Sequence, residues 1–296
     1  MTFATTRELL ERANETGRAI LAFNVITLEY AEGVIAGAER AGSPVILQVS
    51  ERAIGYHGRA IAPLLSACHR LAEEATVPVA LHFDHFQDLA LIEQVLQPDA
   101  RHGVSSIMLD FSGHPHDENV RLTREFAARA RAQELWVEAE LGEIGGKDGA
   151  HAPGVRTNPW EARDFVALTA VDGLAVAVGS SHAMTSQSAQ LDIALIAVLA
   201  SAVPAPLVLH GSSGVPNAML LEAVAAGIRK VNVGTALSIA FTDAVRSFVS
   251  ENPTASDPRK YLGAARDAIA LTVAQLCEVV GRSPQPPQSG KTQQGA

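Results

Sequence analysis

Cysteine is nearly absent. The 296 residues hold two, Cys68 and Cys277, far apart and without zinc-cluster spacing. A disulfide framework and a structural zinc finger are therefore excluded, and two buried free thiols in a reducing compartment are expected. Lysine is scarce as well: Lys147, Lys230, Lys260 and Lys291 are all there is. None ends an apolar strand, and Lys230 is expected near the entry of the eighth, which argues against a Schiff-base lysine. Basic residues number 23 against 32 acidic ones, a net charge of −9. That balance gives no footing for nucleic acid or an anionic membrane. No apolar run is long enough for a span; the uncharged stretch 193–209 is broken by Pro204 and Pro206. The first residues carry no basic-then-apolar pattern, so a cytoplasmic protein is expected.

Short apolar, β-rich runs are what the chain has in quantity. They occupy residues 19–24, 44–50, 77–81, 104–109, 135–140, 173–178, 206–210 and 228–233. Helical patterns follow them, near 29–41, 60–72, 89–96, 118–132, 159–168, 191–200, 217–225 and 236–249. Strands that are apolar throughout are buried on both faces, and repeated strand–helix units build a parallel sheet. Eight units in about 250 residues predict a (β/α)8 TIM barrel. An open doubly wound sheet fits less well, because Asn24-Val-Ile-Thr stands where a Gly-x-Gly-x-x-Gly turn would be needed. A capping box, Thr5-x-x-Glu8, opens an extra N-terminal helix over 7–15, and Asp257-Pro opens a C-terminal helical extension towards 280. One barrel domain over 1–282 is expected, with a disordered tail at 283–296 rich in Pro, Gln, Ser and Gly. Residues 142–158, with five glycines, read as a mobile lid at the catalytic face.

Most strands end in a residue able to bind a metal, a phosphate or a proton. In a parallel barrel those ends converge on one face. His82-Phe-Asp84-His85 closes the third run, and Asp110 and Glu140 close the fourth and fifth. His182 follows the sixth and His210 ends the seventh. Strand alternation puts His82 and Asp84 on one side and turns His85 away unless the strand stops there, so the three are not expected to share one metal. Histidines at the ends of strands three, six and seven nevertheless match the three-ligand, open-position pattern of catalytic zinc. Gly179-Ser-Ser181, Gly211-Ser-Ser-Gly214 and Asn232-x-Gly234-Thr235 offer unobstructed backbone N–H groups for an anion.

With these pieces the chain resembles the class II, zinc-dependent ketose-bisphosphate aldolases of the fructose- and tagatose-1,6-bisphosphate type. The likeness runs from Phe23-Asn24-Val to Asp257-Pro-Arg-Lys-Tyr-Leu. It is sharpest at residues 43–50, His82-Phe-Asp-His85, Glu138-Ala-Glu140-Leu-Gly142 and His210-Gly-Ser-Ser-Gly214. The resemblance implies a catalytic Zn²⁺ on His85, His182 and His210, with Asp110 and Glu140 at a second metal position. It makes Asp84 the acid/base at the C4 oxygen and Asp148, in the lid, the residue handling the proton on the enediolate carbon. It assigns sugar-phosphate binding to Asn24, Ser50, Gly179, Gly211, Ser213, Asn232, Gly234 and Thr235, with a monovalent cation (Na⁺ or K⁺) nearby. It brings Arg259 to the far phosphate from a neighbouring subunit, hence a dimer or tetramer.

Three departures stand out. The lid has Asp148 where the family has Glu, Ala183-Met-Thr follows His182 in place of Gly and then Tyr, and Phe111 replaces a small residue after Asp110. All three are expected to surround the substrate rather than the metal. Fructose 1,6-bisphosphate cleavage is the leading reading. A tagatose-bisphosphate or other ketose-phosphate aldolase, a zinc hydrolase and a catalytically silent sugar-phosphate binder are the alternatives.

Overall fold

The structure, a computed structural model, describes residues 3–142, 156–180 and 187–281. Asp148, His182, Ala183 and the tail 283–296 lie outside the described residues. Eight parallel strands close in the order β1 (Ile20–Asn24), β2 (Val45–Ser50), β3 (Val79–Phe86), β4 (Ser106–Leu109), β5 (Trp136–Glu140), β6 (Gly173–Ala175), β7 (Leu207–Leu209) and β8 (Ile228–Val233). β8 pairs back onto β1, so the predicted TIM barrel is the observed architecture.

The outer ring is α2 (Leu28–Ala41), α4 (Ala62–Glu74), α5 (Leu89–Val95), α6 (His116–Arg131), α7 (Pro159–Thr169), α8 (Ile193–Ala202), α9 (Asn217–Ala226) and α10 (Thr235–Glu251). One short helix after β2, α3 (Glu51–Tyr56), is not foreseen in the sequence; Ser50 caps it by accepting from Ala53 N–H at 3.2 Å. Among the described residues no helix is long and apolar enough to cross a membrane.

The extra N-terminal helix, α1 (Thr6–Thr16), forms on the capping box read from the sequence, with Thr5 and Glu8 bonded reciprocally. Its apolar face (Leu9, Leu10, Ala13) packs with Ala22, Ile46, Ala80, Met108, Trp136, Ala175 and Val208. These strand residues are the ones that alternate inward, so α1 plugs the N-terminal end of the barrel with an apolar floor. The main core, between strands and ring, is a separate and larger apolar layer.

The C-terminal helix, α11 (Pro258–Gly281), lies against α2 and α10. Gly33 and Gly37 of α2 permit this approach: a Cβ at Gly37 would collide with the Ala270 carbonyl and the Val273 side chain. Gly37→Ala is expected to cost about 1–3 kcal/mol by overpacking. A urea midpoint within error of the parent's would contradict that.

Candidate active site

Above the apolar floor the barrel interior turns polar. Gln48, His82, Glu138 and Lys230 are each at most 1% exposed. His82 Nδ1 pairs with Ser106 Oγ at 2.8 Å, and Ser106 Oγ meets Thr6 Oγ1 of α1 at 2.6 Å. Burial, followed by the charge on Lys230, holds His82 well below the ordinary histidine range, so it sits there neutral.

Lys230 is inside the barrel rather than at the opposite face. It is the third residue of β8, and its Nζ lies 2.8 Å from both Glu138 Oε2 and Asn232 Oδ1. The sequence expectation failed because an unpartnered lysine belongs at a water-exposed strand entry. Glu138, ninety-two positions away, supplies the partner that lets it stay buried.

β3 runs to Phe86 instead of stopping at residue 81, and it contains a bulge. Phe83 pairs with Ile107 and Phe86 with Leu109, so three steps on β3 face two on β4. The extra residue takes up His85 in the left-handed region, at φ 52°. A bulge re-aims a side chain that simple alternation would turn outward. His85 thereby reaches the barrel mouth beside Asp84 although the strand does not stop there, and the ligand group it joins includes neither His82 nor Asp84, as expected.

At the mouth, His85 Nε2 and His210 Nδ1 face each other at 3.1 Å. With Glu140 they form a group whose ligand atoms all lie within 4.8 Å of one another. The other nitrogen of each ring meets a carboxylate: His85 Nδ1 to Asp110 at 2.8 Å and His210 Nε2 to Glu138 at 2.8 Å. Carboxylates at the outer nitrogens favour tautomers whose lone pairs point inward. Two lone pairs 3.1 Å apart repel unless a cation or a proton lies between them. Nitrogens sharing one tetrahedral ion are about 3.3 Å apart, for bonds of about 2.0–2.1 Å. The donor set fits a divalent metal.

The local field agrees. Burial disfavours protonated His85, but Asp84, Asp110 and Glu140 outweigh it and push this imidazole up to about 10. In the metal-free protein, proton binding at His85 stabilises the fold fully below the unfolded value near 6.5. The contribution fades as pH rises through about 10. At pH 8 a metal must displace that proton, so binding is expected to release about one proton per site. Calorimetry in buffers of different ionisation enthalpy reads the number, and zero release would refute the assignment.

Asp110 orients rather than joins the grouped ligand atoms. It receives His85 Nδ1, Gln87 Nε2 at 3.0 Å and Ser112 Oγ at 2.6 Å. Burial would raise its pKa, yet these donors, His85 first, hold it well below the usual carboxylate range. Phe111 is also not where it was expected: it is 1% exposed and packs on Phe126 of α6, away from the mouth.

Asp84 is 2% exposed and takes Asn24 Nδ2 at 3.0 Å and Asn232 Nδ2 at 3.4 Å. Gln48 Nε2 in turn fixes Asn24 Oδ1 at 2.9 Å, and Ser50 pairs in register with Asp84. The glycine loops expected to bind an anion follow β6, β7 and β8. Gly179, at φ 117°, passes so close to Gln190 that a Cβ would strike its carbonyl oxygen. Gly211, at φ 65°, opens the single turn Ser212–Gly214, and Ser213 Oγ accepts from Ala236 N–H at 3.0 Å. Gly234 and Thr235 open α10, whose N-cap is a glycine, so the side-chain oxygen at the helix start comes from Ser213 instead. Arg259 is apart from this group: its side chain is 89% exposed and its guanidinium is paired with Asp257.

The comparisons with known proteins agree with one another. A family model described as fructose-bisphosphate aldolase class-II matches residues 4–285. The chain is 38% identical to a fructose-bisphosphate aldolase of Thermus caldophilus, over 94% of this chain and 97% of that one. It is 35% identical to the D-tagatose-1,6-bisphosphate aldolase subunit GatY of Klebsiella oxytoca, over 95% and 98%. The crystal structure of the YdjI aldolase from Escherichia coli K12 superposes with a TM-score of 0.81 at 32% identity, covering 95% of this chain and 98% of that one.

Proposed function

The chain belongs to the class II fructose-bisphosphate aldolase family, and we propose that it reversibly cleaves fructose 1,6-bisphosphate to dihydroxyacetone phosphate and glyceraldehyde 3-phosphate. It is a class II ketose-bisphosphate aldolase, a metal-dependent lyase. The observation that carries the reading is the facing pair His85 Nε2 and His210 Nδ1, each backed by a carboxylate and set beside Asp84.

We assign Zn²⁺ as the metal, on nitrogen donors at tetrahedral spacing, with His182 as a further ligand carried by the family resemblance. When bound, it would act as a Lewis acid on the ketose carbonyl and stabilise the charge left by carbon–carbon cleavage. Asp84 takes the C4 hydroxyl proton in cleavage and returns it in condensation. Asn24 and Asn232, which hold this carboxylate, steady it for that transfer. Asp148 handles the proton on the other fragment. The loop glycines, Ser213 and the start of α10 receive a phosphate. Arg259, exposed and remote in its bonding, serves the far phosphate from a neighbouring subunit, which makes the active form at least a dimer.

Triose phosphate release from fructose and tagatose 1,6-bisphosphates, with and without a chelator, tests this reading. Chelator-sensitive cleavage with the fructose ester preferred supports it. Preference for the tagatose ester moves the substrate to its C4 epimer, and cleavage of neither defeats the bisphosphate assignment in favour of another ketose phosphate or a silent binder.

A further inference from the structure

Between the apolar floor and the mouth lies a buried ion pair that the proposed chemistry leaves unused. Glu138 and Lys230 are both fully buried. Each oxygen of Glu138 has its own task. Oε1 accepts from His210 Nε2 at 2.8 Å, and Oε2 accepts from Lys230 Nζ at 2.8 Å. The same ammonium donates to Asn232 Oδ1 at 2.8 Å. Strand geometry places each member beneath a mouth residue: Glu138 precedes Glu140 by two on β5, and Lys230 precedes Asn232 by two on β8.

We infer that Glu138 and Lys230 are positioning residues that together fix which atoms His210 and Asn232 present at the barrel mouth. An imidazole has two neutral tautomers. A carboxylate can only accept, so Glu138 requires the hydrogen on Nε2 and leaves the Nδ1 lone pair facing His85. Nε2 also lies 3.1 Å from Asn232 Nδ2, but both are donors in this arrangement and the carboxylate takes the hydrogen. An amide has two orientations. An ammonium can only donate, so Lys230 requires Oδ1 towards itself and turns Nδ2 towards Asp84, 3.4 Å away. One ion pair thus settles two choices that packing alone leaves open. A buried ion pair is a poor source of stability, since apolar residues of like volume do as well. Apolar residues cannot choose a tautomer or an amide face.

The inference rests on the aldolase reading for the substrate role of Asn232 and on the metal site for His210. The test is therefore read first with metal alone. The double variant Glu138→Gln/Lys230→Met removes both charges at nearly constant volume. It is expected to unfold cooperatively, with a melting temperature close to the parent's. Chelator-stripped protein is titrated with Co²⁺ and followed by its visible absorption. The expected result is a dissociation constant raised roughly 10–100-fold with an altered spectrum, and a higher KM for the ketose bisphosphate at saturating metal. A folded double variant with the parent's cobalt affinity and spectrum overturns the proposal. So does a variant whose only change is stability.

Glu138→Asp covers the case in which the double variant does not fold. It keeps the charge for Lys230 and withdraws the oxygen from His210 by one methylene. Raised cobalt dissociation is expected there too, and an unchanged value overturns the proposal. Failure of the parent to cleave any ketose bisphosphate would defeat the bisphosphate assignment and leave the cobalt result standing.

Discussion

Asp84→Ala is expected to lower kcat for ketose-bisphosphate cleavage by about 10²–10⁴-fold while leaving metal content at one ion per site. The carboxylate is 2% exposed, and two amides hold it in place. Those amides are fixed in their turn, Asn24 by Gln48 and Asn232 by Lys230. Such a group is preorganised for one proton transfer and costs little reorganisation when it acts. It is not among the grouped ligand atoms of His85, Glu140 and His210, so the metal should stay. Asp84→Asn preserves shape without basicity and should fall as far. A coupled triose phosphate assay beside metal analysis checks both numbers. A loss below tenfold, or a loss that tracks missing metal, would remove Asp84 from the proton-transfer role.

The barrel was legible because its strands are apolar on the helix-facing side and close a ring of eight. The bulge that turns His85 inward and the burial of Lys230 were not. Alternation with period two is a rule for regular strands, and the bulge after Phe83 breaks it for one residue. No local feature of His82-Phe-Asp-His85 marks that break, since histidine carries no turn propensity comparable with glycine. Lys230 was misplaced for a different reason. A lysine in an apolar strand is interpretable only with its partner, and the partner lies on another strand. One signal did exist. Polar residues two apart recur on inward positions: His82 and Asp84, Glu138 and Glu140, Lys230 and Asn232. Their common period marks a polar interior stacked in layers, which would have placed Glu138 and Lys230 inside. Phe111 shows the reverse error: next to Asp110, it alternates to the other side of the barrel wall and joins the core with Phe126.

Lys230→Met as a single change should be among the most destabilising substitutions in the protein. It leaves the fully buried Glu138 carboxylate without its cationic partner, with only His210 Nε2 at 2.8 Å and His82 Nε2 3.8 Å away. Breaking a buried pair by removing one partner costs about 3–5 kcal/mol, a large part of the roughly 5–15 kcal/mol that holds a typical domain together. Removing both charges avoids most of that cost, so the single variant should be less stable than the double one. Such an order is the reverse of additivity. Denaturant midpoints for the parent, Glu138→Gln, Lys230→Met and the double variant measure the coupling directly. Additive losses, or a Lys230→Met variant within about 1 kcal/mol of the parent, would mean that water or another donor reaches Glu138 and that the pair is not sealed in the barrel as its burial indicates.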